Sequence, residues 1–201
     1  MTRRSFKLFA TGLALGLAFP CALLSGFGRF KPVFTFFAHA FALGPGMVGD
    51  YLRLGYYIQT LRSCSWECQI CFGAFFAHRE VTLGKLVAIG PYSVIGRVVV
   101  GDRTKIGALS NVVSGVQQHK RDAEGRLTSE GAVYTEIVIG PDCWIGANCT
   151  LAADIGPRAT VAAGSVVLTA VPADVVVAGN PARKIVSASV AEERRQRFPA
   201  K

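Results

Sequence analysis

Charge is scarce in this chain of 201 residues. Only 17% are Asp, Glu, Lys or Arg, below the usual quarter or so, and 51% are hydrophobic. That balance excludes intrinsic disorder, which needs little hydrophobicity and much charge. Histidine is scarcer still: His39, His78 and His119 are all there is. A catalytic zinc site built on three His ligands therefore has almost nothing to draw on, and no metal is expected. The 22 Gly and 9 Pro are too few for a collagen-like or low-complexity chain. No basic stripe interleaves with aromatics, so the net charge of +9 does not read as a nucleic-acid surface. The length leaves room for one domain of ordinary size and an appendage, not for a large multidomain enzyme.

The basic excess sits at the two ends. Residues 1–80 carry 8 Lys/Arg against 3 Asp/Glu, and residues 81–186 carry 10 against 8. Near the start, Leu8 to Phe27 is a run of 20 residues without charge, preceded by Arg3, Arg4 and Lys7. In helix such a run covers ~30 Å, the thickness of a hydrocarbon core. A cleaved signal peptide is the rival, but the run is long and no clean small-x-small cleavage pattern comes after it. A second uncharged run, Pro32 to Gly49, is interrupted by Gly44-Pro45-Gly46 and reads as a hairpin arm or an interfacial segment. Asp50 to Arg62 comes next as an amphipathic helix, with Arg53 and Arg62 expected at its surface. Residues 1–62 are thus a hydrophobic, membrane-associated helical region with its basic flank toward anionic lipid. Arg3, Arg4 and Lys7 favour a cytoplasmic N-terminus; one span would then export the remainder, whereas a shallow re-entrant hairpin, which suits Arg29 and Lys31 between the runs, keeps it on the cytoplasmic side of an inner membrane.

Of six cysteines, Cys64, Cys68 and Cys71 have the spacing of a radical-SAM cluster motif. The chain is too short for the barrel that chemistry uses, and a zinc site would want a fourth ligand. Cys21, Cys143 and Cys149 complete the set, read as small buried hydrophobes in a reducing compartment.

From residue 81, after a connecting segment over 63–80, a new period begins. Aliphatic-Gly pairs recur at Leu83-Gly84, Ile89-Gly90, Ile95-Gly96, Val100-Gly101, Ile106-Gly107, Ile139-Gly140, Ile145-Gly146 and Ile155-Gly156. The aliphatic positions step by 6, 6, 5, 6 and 6 from Leu83 to Val112, then by 6, 6, 4, 6 and 6 from Ile139 to Val167. Neither a helix nor an alternating strand has a period of six. A solenoid does: each hexapeptide supplies a short strand and a turn, its aliphatic residue stacks inward, and its Gly eases a tight corner.

These tandem [Leu/Ile/Val]-Gly-x4 units resemble the hexapeptide-repeat family over residues 81–186. The resemblance implies a mainly β chain: a left-handed parallel β-helix of triangular section, behind a hydrophobic helical N-terminal segment. It also implies an acetyl-coenzyme A-dependent acyltransferase, most often a homotrimer. The layout is similar to membrane-associated O-acetyltransferases of bacterial surface-polysaccharide biosynthesis, whose acceptor is a sugar or lipid-linked glycan hydroxyl. Residues 187–201 read as a short C-terminal helix capping the prism.

The repeat breaks between Val112 and Ile139. The polar excursion over 114–136 contains Gln118-His119, and a solenoid gains nothing structural from it. An acyl transfer from a thioester to a hydroxyl needs a base, and an imidazole near pKa 6.5 can serve at neutral pH. In the family the loop His enters a neighbouring subunit's active site, which makes His119 the expected catalytic residue. Asp122 and Glu124 are sequence-near groups that could orient it. The resemblance further places Trp144 and Ala147 at the reacting cleft, the Ala147 N–H as oxyanion donor. It assigns coenzyme A to Ala147, Ala163, Gly164, Ser165, Asn180, Arg183 and Lys184, with the last two at phosphates. Two readings compete: a γ-carbonic-anhydrase-type zinc enzyme on the same prism, and a non-catalytic β-helix scaffold.

Overall fold

The computed structural model describes residues 3–115, 119–128, 131 and 133–187. The chain starts with three helices, α1 (Arg3–Leu24), α2 (Lys31–Ala42) and α3 (Gly46–Thr60), and continues as a parallel β-solenoid. The first coil is β1 (Ser63–Cys64), β2 (Gln69–Ile70) and β3 (Phe75–Phe76); the second is β4 (Val81–Leu83), β5 (Ala88–Ile89) and β6 (Val94–Ile95). The third is β7 (Val98–Val100), β8 (Lys105–Ile106) and β9 (Asn111–Val112); the fourth is β10 (Ile137–Ile139), β11 (Trp144–Ile145) and β12 (Thr150–Leu151). A fifth coil holds β13 (Thr160–Val161) and β14 (Val166–Val167), and a last one holds β15 (Val175–Gly179), on which β16 (Ala182–Ser187) folds back antiparallel. The first face orders β1-β4-β7-β10, the second β16-β15-β13-β11-β8-β5-β2, and the third β14-β12-β9-β6-β3. Residues 63–80, expected to be a connector, are therefore the first coil. The segment lacks the aliphatic-Gly signature because aromatic Phe76 fills the interior position held elsewhere by Ile or Val.

The six-residue period maps onto this geometry residue by residue. Ile89, Ile106, Ile145, Val161 and Val177 stack on the second face, and Ile95, Val112, Leu151 and Val167 on the third, all buried. The first face continues past β10 through single bridges from Ile139 to Ile155 and Ile155 to Val171. Every departure from the period falls in one corner, where the third face turns into the first. The turns there cover residues 77–80, 96–97, 113–136, 152–154 and 168–170. Pairing resumes in register after each, because the strands are fixed by interior stacking while that corner is free in length. The long polar excursion is the largest case of this variation.

The repeated glycines have a role other than the tight turn expected of them. Their φ angles are ordinary; the left-handed positions are non-glycine residues two places on, such as Leu86, Tyr92, Arg103, Leu109 and Asn148. What glycine supplies is close approach between coils. A Cβ on Gly107 would lie 2.6 Å from the Ala147 nitrogen, and one on Gly146 would press on that of Ala163 in the same way. Gly107→Ala is expected to cost about 1–3 kcal/mol by overpacking. Gly12→Ala in α1, where nothing lies within 4 Å, should be neutral or stabilising. Urea denaturation of the two variants checks this, and a neutral Gly107→Ala would contradict the stacking argument.

Three of the cysteines are part of ladders joining successive coils. Thr104 Oγ1 donates to Gly140 O (2.7 Å) and accepts from Cys143 N (3.0 Å), while Cys143 Sγ donates to Gly156 O (3.1 Å). Ser110, Cys149 and Ser165 form a parallel ladder, with Cys149 Sγ to Ala162 O at 3.2 Å. Cys68 donates to Gly84 O at 3.2 Å in the same manner. Burial pushes the thiols of Cys143 and Cys149 up, so they stay protonated donors.

The helices close the N-terminal end of the prism. Arg53 on α3, expected at the surface, is fully buried. Its guanidinium donates to Ile70 O of β2 (3.0 Å) and to Phe41 O (2.9 Å), Ala42 O (3.2 Å) and Gly44 O (2.7 Å) at the end of α2, and it pairs with Asp50. The unsatisfied C-terminal carbonyls of α2 thus receive a cation that also ties the helices to the solenoid. The α1 helix packs its small residues inward: Ala14, Ala18 and Ala22 are buried, and a Cβ on Gly55 of α3 would lie 2.7 Å from the Ala14 backbone. Its large residues point outward, with Phe9, Leu13, Leu17 and Leu24 each more than half exposed. The expected C-terminal helix lies outside the described residues, apart from Ser187, which is in β16.

Candidate active site

The second face and its junction with the third carry most of the residues assigned to the cleft. Trp144 sits on β11 between Lys105 and Thr160 of the adjoining coils, and 55% of its surface is exposed. Outward residues of a strand face solvent when the alternate residue, here Ile145, fills the core. Ala147 stands next, at the corner. Its carbonyl accepts from Gly164 N (2.9 Å), which sets Ala147 and the exposed Ala163-Gly164 pair one above the other. The Ala147 N–H makes no backbone hydrogen bond among the described residues, so it keeps a donor free. Small side chains on this strip leave the backbone reachable along several coils.

Ser165, assigned to the cofactor strip with Ala163 and Gly164, has its side chain turned inward. It is fully buried; its hydroxyl donates to Ala162 O (2.6 Å) and accepts from Gly179 N (3.2 Å). Its side chain holds the last coil in place and is not presented to a ligand. Asn180 is exposed in the β15–β16 turn, where the Asn180–Pro181 peptide is cis. Arg183 and Lys184 are exposed on β16 and line a 310 Å³ cleft at the end of the prism, beside Thr169 and Ala170.

His119 lies elsewhere in the chain. It is exposed on the excursion, which leaves β9 of the third face and returns to β10 of the first. Ala147 stands at the opposite junction, between the second and third faces. Among the described residues no contact joins His119 to Trp144, Ala147 or Gly164. Gln118 lies outside the described residues. Asp122 and Glu124, the sequence-near candidates to orient His119, are committed within the loop tip. Asp122 pairs with Arg126 (2.8 Å) and accepts from the backbone N–H groups of Glu124 and Arg126; Glu124 pairs with Arg126 at 3.0 Å. Bonds from Arg126 and those backbone groups hold the Asp122 carboxyl below its usual range. The other two histidines pack on aromatics: His39 lies edge-on to Phe75 (4.6 Å) and His78 against Tyr134 (4.5 Å). Among the described residues no three His, Cys, Asp or Glu side chains could share a metal ion.

The loop base holds a feature the sequence did not announce. Arg97 and Lys31 sit over the Tyr134 ring at 5.2 and 5.8 Å, and His78, Arg79 and Glu80 join them around a small pocket. These residues come from α2, two coil corners and the returning loop, so no local pattern could have grouped them.

Comparison with known proteins matches residues 136–169 to the hexapeptide repeat of succinyl-transferase. The bifunctional protein GlmU of Lawsonia intracellularis is 32% identical over 134 residues, which is 65% of this chain and 26% of that protein. The chain thus spans about a quarter of the length of that curated relative. Among solved structures, a hexapeptide-repeat-containing acetyltransferase of Vibrio cholerae is 25% identical with a TM-score of 0.64, covering 83% of this chain and 91% of that one. A maltose O-acetyltransferase of Clostridium difficile has a TM-score of 0.65 at 19% identity, covering 78% and 86%, a likeness of fold.

Proposed function

We propose that this hexapeptide-repeat protein is a membrane-associated acyltransferase that moves an acetyl group from coenzyme A to a sugar hydroxyl, with His119 as general base. The observation that carries the reading is the division of the site. A groove-like strip of small residues and a free Ala147 N–H lie at one junction of the prism, while His119 is extruded at another. Such a site is completed between protomers. The loop of one copy brings His119 to the Ala147–Gly164 strip of its neighbour in a homotrimer. The V. cholerae acetyltransferase, alike over most of both chains, supports the acyl-transfer class.

The chemistry derives from the groups available. The Nε2 or Nδ1 lone pair of His119 takes the proton of the acceptor hydroxyl as its oxygen attacks the thioester carbonyl. The charge that develops on the carbonyl oxygen is met by the Ala147 N–H. The carbon–sulfur bond breaks, and the thiol of coenzyme A leaves with the proton returned by the imidazolium. Asn180 and the backbone of Ala163 and Gly164 hold the pantetheine arm, and Arg183 and Lys184 meet phosphates. The acceptor is a sugar of surface-polysaccharide or lipid-linked glycan synthesis.

Membrane association rests on α1 and its surroundings. The first 49 residues contain five Lys/Arg and no Asp or Glu. Large exposed apolar side chains continue from α1 to Phe30, Phe36, Leu43, Met47 and Val48. A helix that buries alanines and exposes leucines and phenylalanines is built for a hydrocarbon surface. Because its inner face is held by α3, α1 lies along the membrane as part of the cap, with the prism on the cytoplasmic side.

The test is release of free coenzyme A thiol by the purified protein across a panel of sugar acceptors. Thiol release stimulated by a sugar supports the reading. Its absence with every acceptor, together with no calorimetric binding of coenzyme A, favours the scaffold. Arg183→Ala with Lys184→Ala should weaken coenzyme A binding about tenfold or more, two charge-assisted contacts being lost. Binding unchanged by the double substitution would remove these residues from the cofactor site.

A further inference from the structure

The pocket at the loop base has an excess of positive charge that Glu80 offsets only in part among the described residues. Four cations line it: Arg29 from the α1–α2 turn, Lys31 at the start of α2, Arg79 from the first coil and Arg97 from the second. Gly28, at φ +81° and so close to the Thr60 carbonyl that a Cβ would strike it, fixes the turn that delivers Arg29. A single carboxylate, Glu80, shares the pocket; it lies 3.7 Å from Arg97 Nε, too far for a hydrogen bond. Glu136, at the end of the loop, is taken up by Arg62 at 2.5 Å. Among the described residues, four cations against one carboxylate leave the lining with a formal balance of +3.

Two of these cations, Arg79 and the Glu80-paired Arg97, are half-buried and each keeps one donor atom without an acceptor among the described residues. The Nε atoms of Arg79 and Arg97 are buried and make no hydrogen bond. A buried charged donor without a partner is costly, and the cost is removed when an acceptor enters. Cation–π contact of Lys31 and Arg97 with Tyr134 orients both groups but leaves their charge intact. The α2 N-terminus, which no side chain caps, opens on the same pocket and adds its positive end. The cavity of 130 Å³ equals about four water molecules at ~30 Å³ each, room for a tetrahedral oxyanion. Burial first, and then the nearby Lys31 and Arg97, hold the His78 imidazole below its usual pKa against an opposing pull from Glu80.

We propose that this pocket is a binding site for a phosphate-type dianion, held by Arg79 and Arg97 from the coil corners and by Lys31 and Arg29 from the helical cap. Several oxygens on one centre can accept from guanidinium groups arriving from different elements, and two negative charges offset most of the +3. The site lies at the corner that extrudes the loop bearing His119 and against the cap that carries the exposed apolar residues. Either the headgroup phosphate of a lipid or the phosphate of a soluble molecule could supply the ligand.

Inorganic phosphate is the probe, titrated calorimetrically into the full chain carrying Arg183→Ala and Lys184→Ala, so that the end cleft does not contribute. Saturable binding is expected, weakened about tenfold or more by Arg79→Gln and again by Arg97→Gln. Lys31→Gln, on the exposed rim, gives a third reading should either arginine variant fail to fold. Binding no stronger than that of chloride at matched ionic strength, or retained by the glutamine variants, overturns the proposal. A second arm compares vesicles of phosphatidylcholine with and without phosphatidic acid. Loss of the phosphatidic-acid dependence in Arg79→Gln identifies a headgroup, and its retention beside lost phosphate binding identifies a soluble phosphate. The site stands apart from acyl transfer, since the phosphate-binding result is independent of thiol release.

Discussion

His119→Ala is expected to lower the rate of acyl transfer at saturating donor by about 10²- to 10⁴-fold, the usual contribution of a positioned general base. The melting temperature should stay that of the wild type, because His119 is exposed and makes no hydrogen bond among the described residues. Coenzyme A binding should also persist, since the strip formed by Ala147, Ala163 and Gly164 belongs to another junction of the prism. The combination separates a lost base from a lost fold or a lost cofactor site. A second measurement tests the division between protomers. Ala163→Trp fills the strip of its own chain and leaves His119 in place. Mixed oligomers of His119→Ala and Ala163→Trp chains should regain transfer that neither variant shows alone, because some junctions pair an intact loop with an intact strip. Transfer by His119→Ala near the wild-type rate would remove the imidazole from the mechanism. Mixed oligomers without activity would place loop and strip in the same chain.

Arg53→Met is expected to destabilise the protein by about 3–5 kcal/mol, the range for removing one partner of a buried ion pair. Methionine fills similar space but donates nothing. The carbonyls of Phe41, Ala42, Gly44 and Ile70 lose a shared donor, and Asp50 loses its cation. Arg53→Lys keeps the charge but cannot span carbonyls on two elements with one planar fork, so it should recover only part of the loss. Urea denaturation monitored by circular dichroism gives the magnitude. Hydrogen exchange should show the loss first in α2 and α3, where the cap meets β2. A change below about 1 kcal/mol would mean that the helices hold to the prism by apolar packing alone.

How far each feature could be read in advance depends on its range in sequence. The solenoid was legible because its register is written locally: an aliphatic residue every sixth place, and glycine where the next coil comes within van der Waals reach. The first coil escaped that reading because Ser65, Cys71 and Ala77 stand where the next coil has glycine, and Phe76 where it has Ile95. The ladders of Cys143 and Cys149 escaped it too, since a thiol placed to donate to the next coil looks, in sequence, like any small buried residue. Arg53 was assigned to the surface because charge on an amphipathic helix usually lies there. Its burial depends on carbonyls that α2 and β2 bring together. His119 stood out as the one histidine within an interrupted repeat, but its orienting partners could not be chosen by proximity, and Asp122 and Glu124 turn out to be held by Arg126.

Composition and periodicity by themselves determined a β-solenoid behind an apolar, basic N-terminal region, with one polar excursion as the place for chemistry. Those properties depend on neighbours in the chain and on repetition, which a sequence displays directly. Only the tertiary structure decided that all irregular turns share one corner, that α1 turns its alanines inward and its leucines outward, and that four cations meet beneath the loop. Each of these is a coincidence in space of segments far apart in sequence, brought together by coil stacking and by the helical cap.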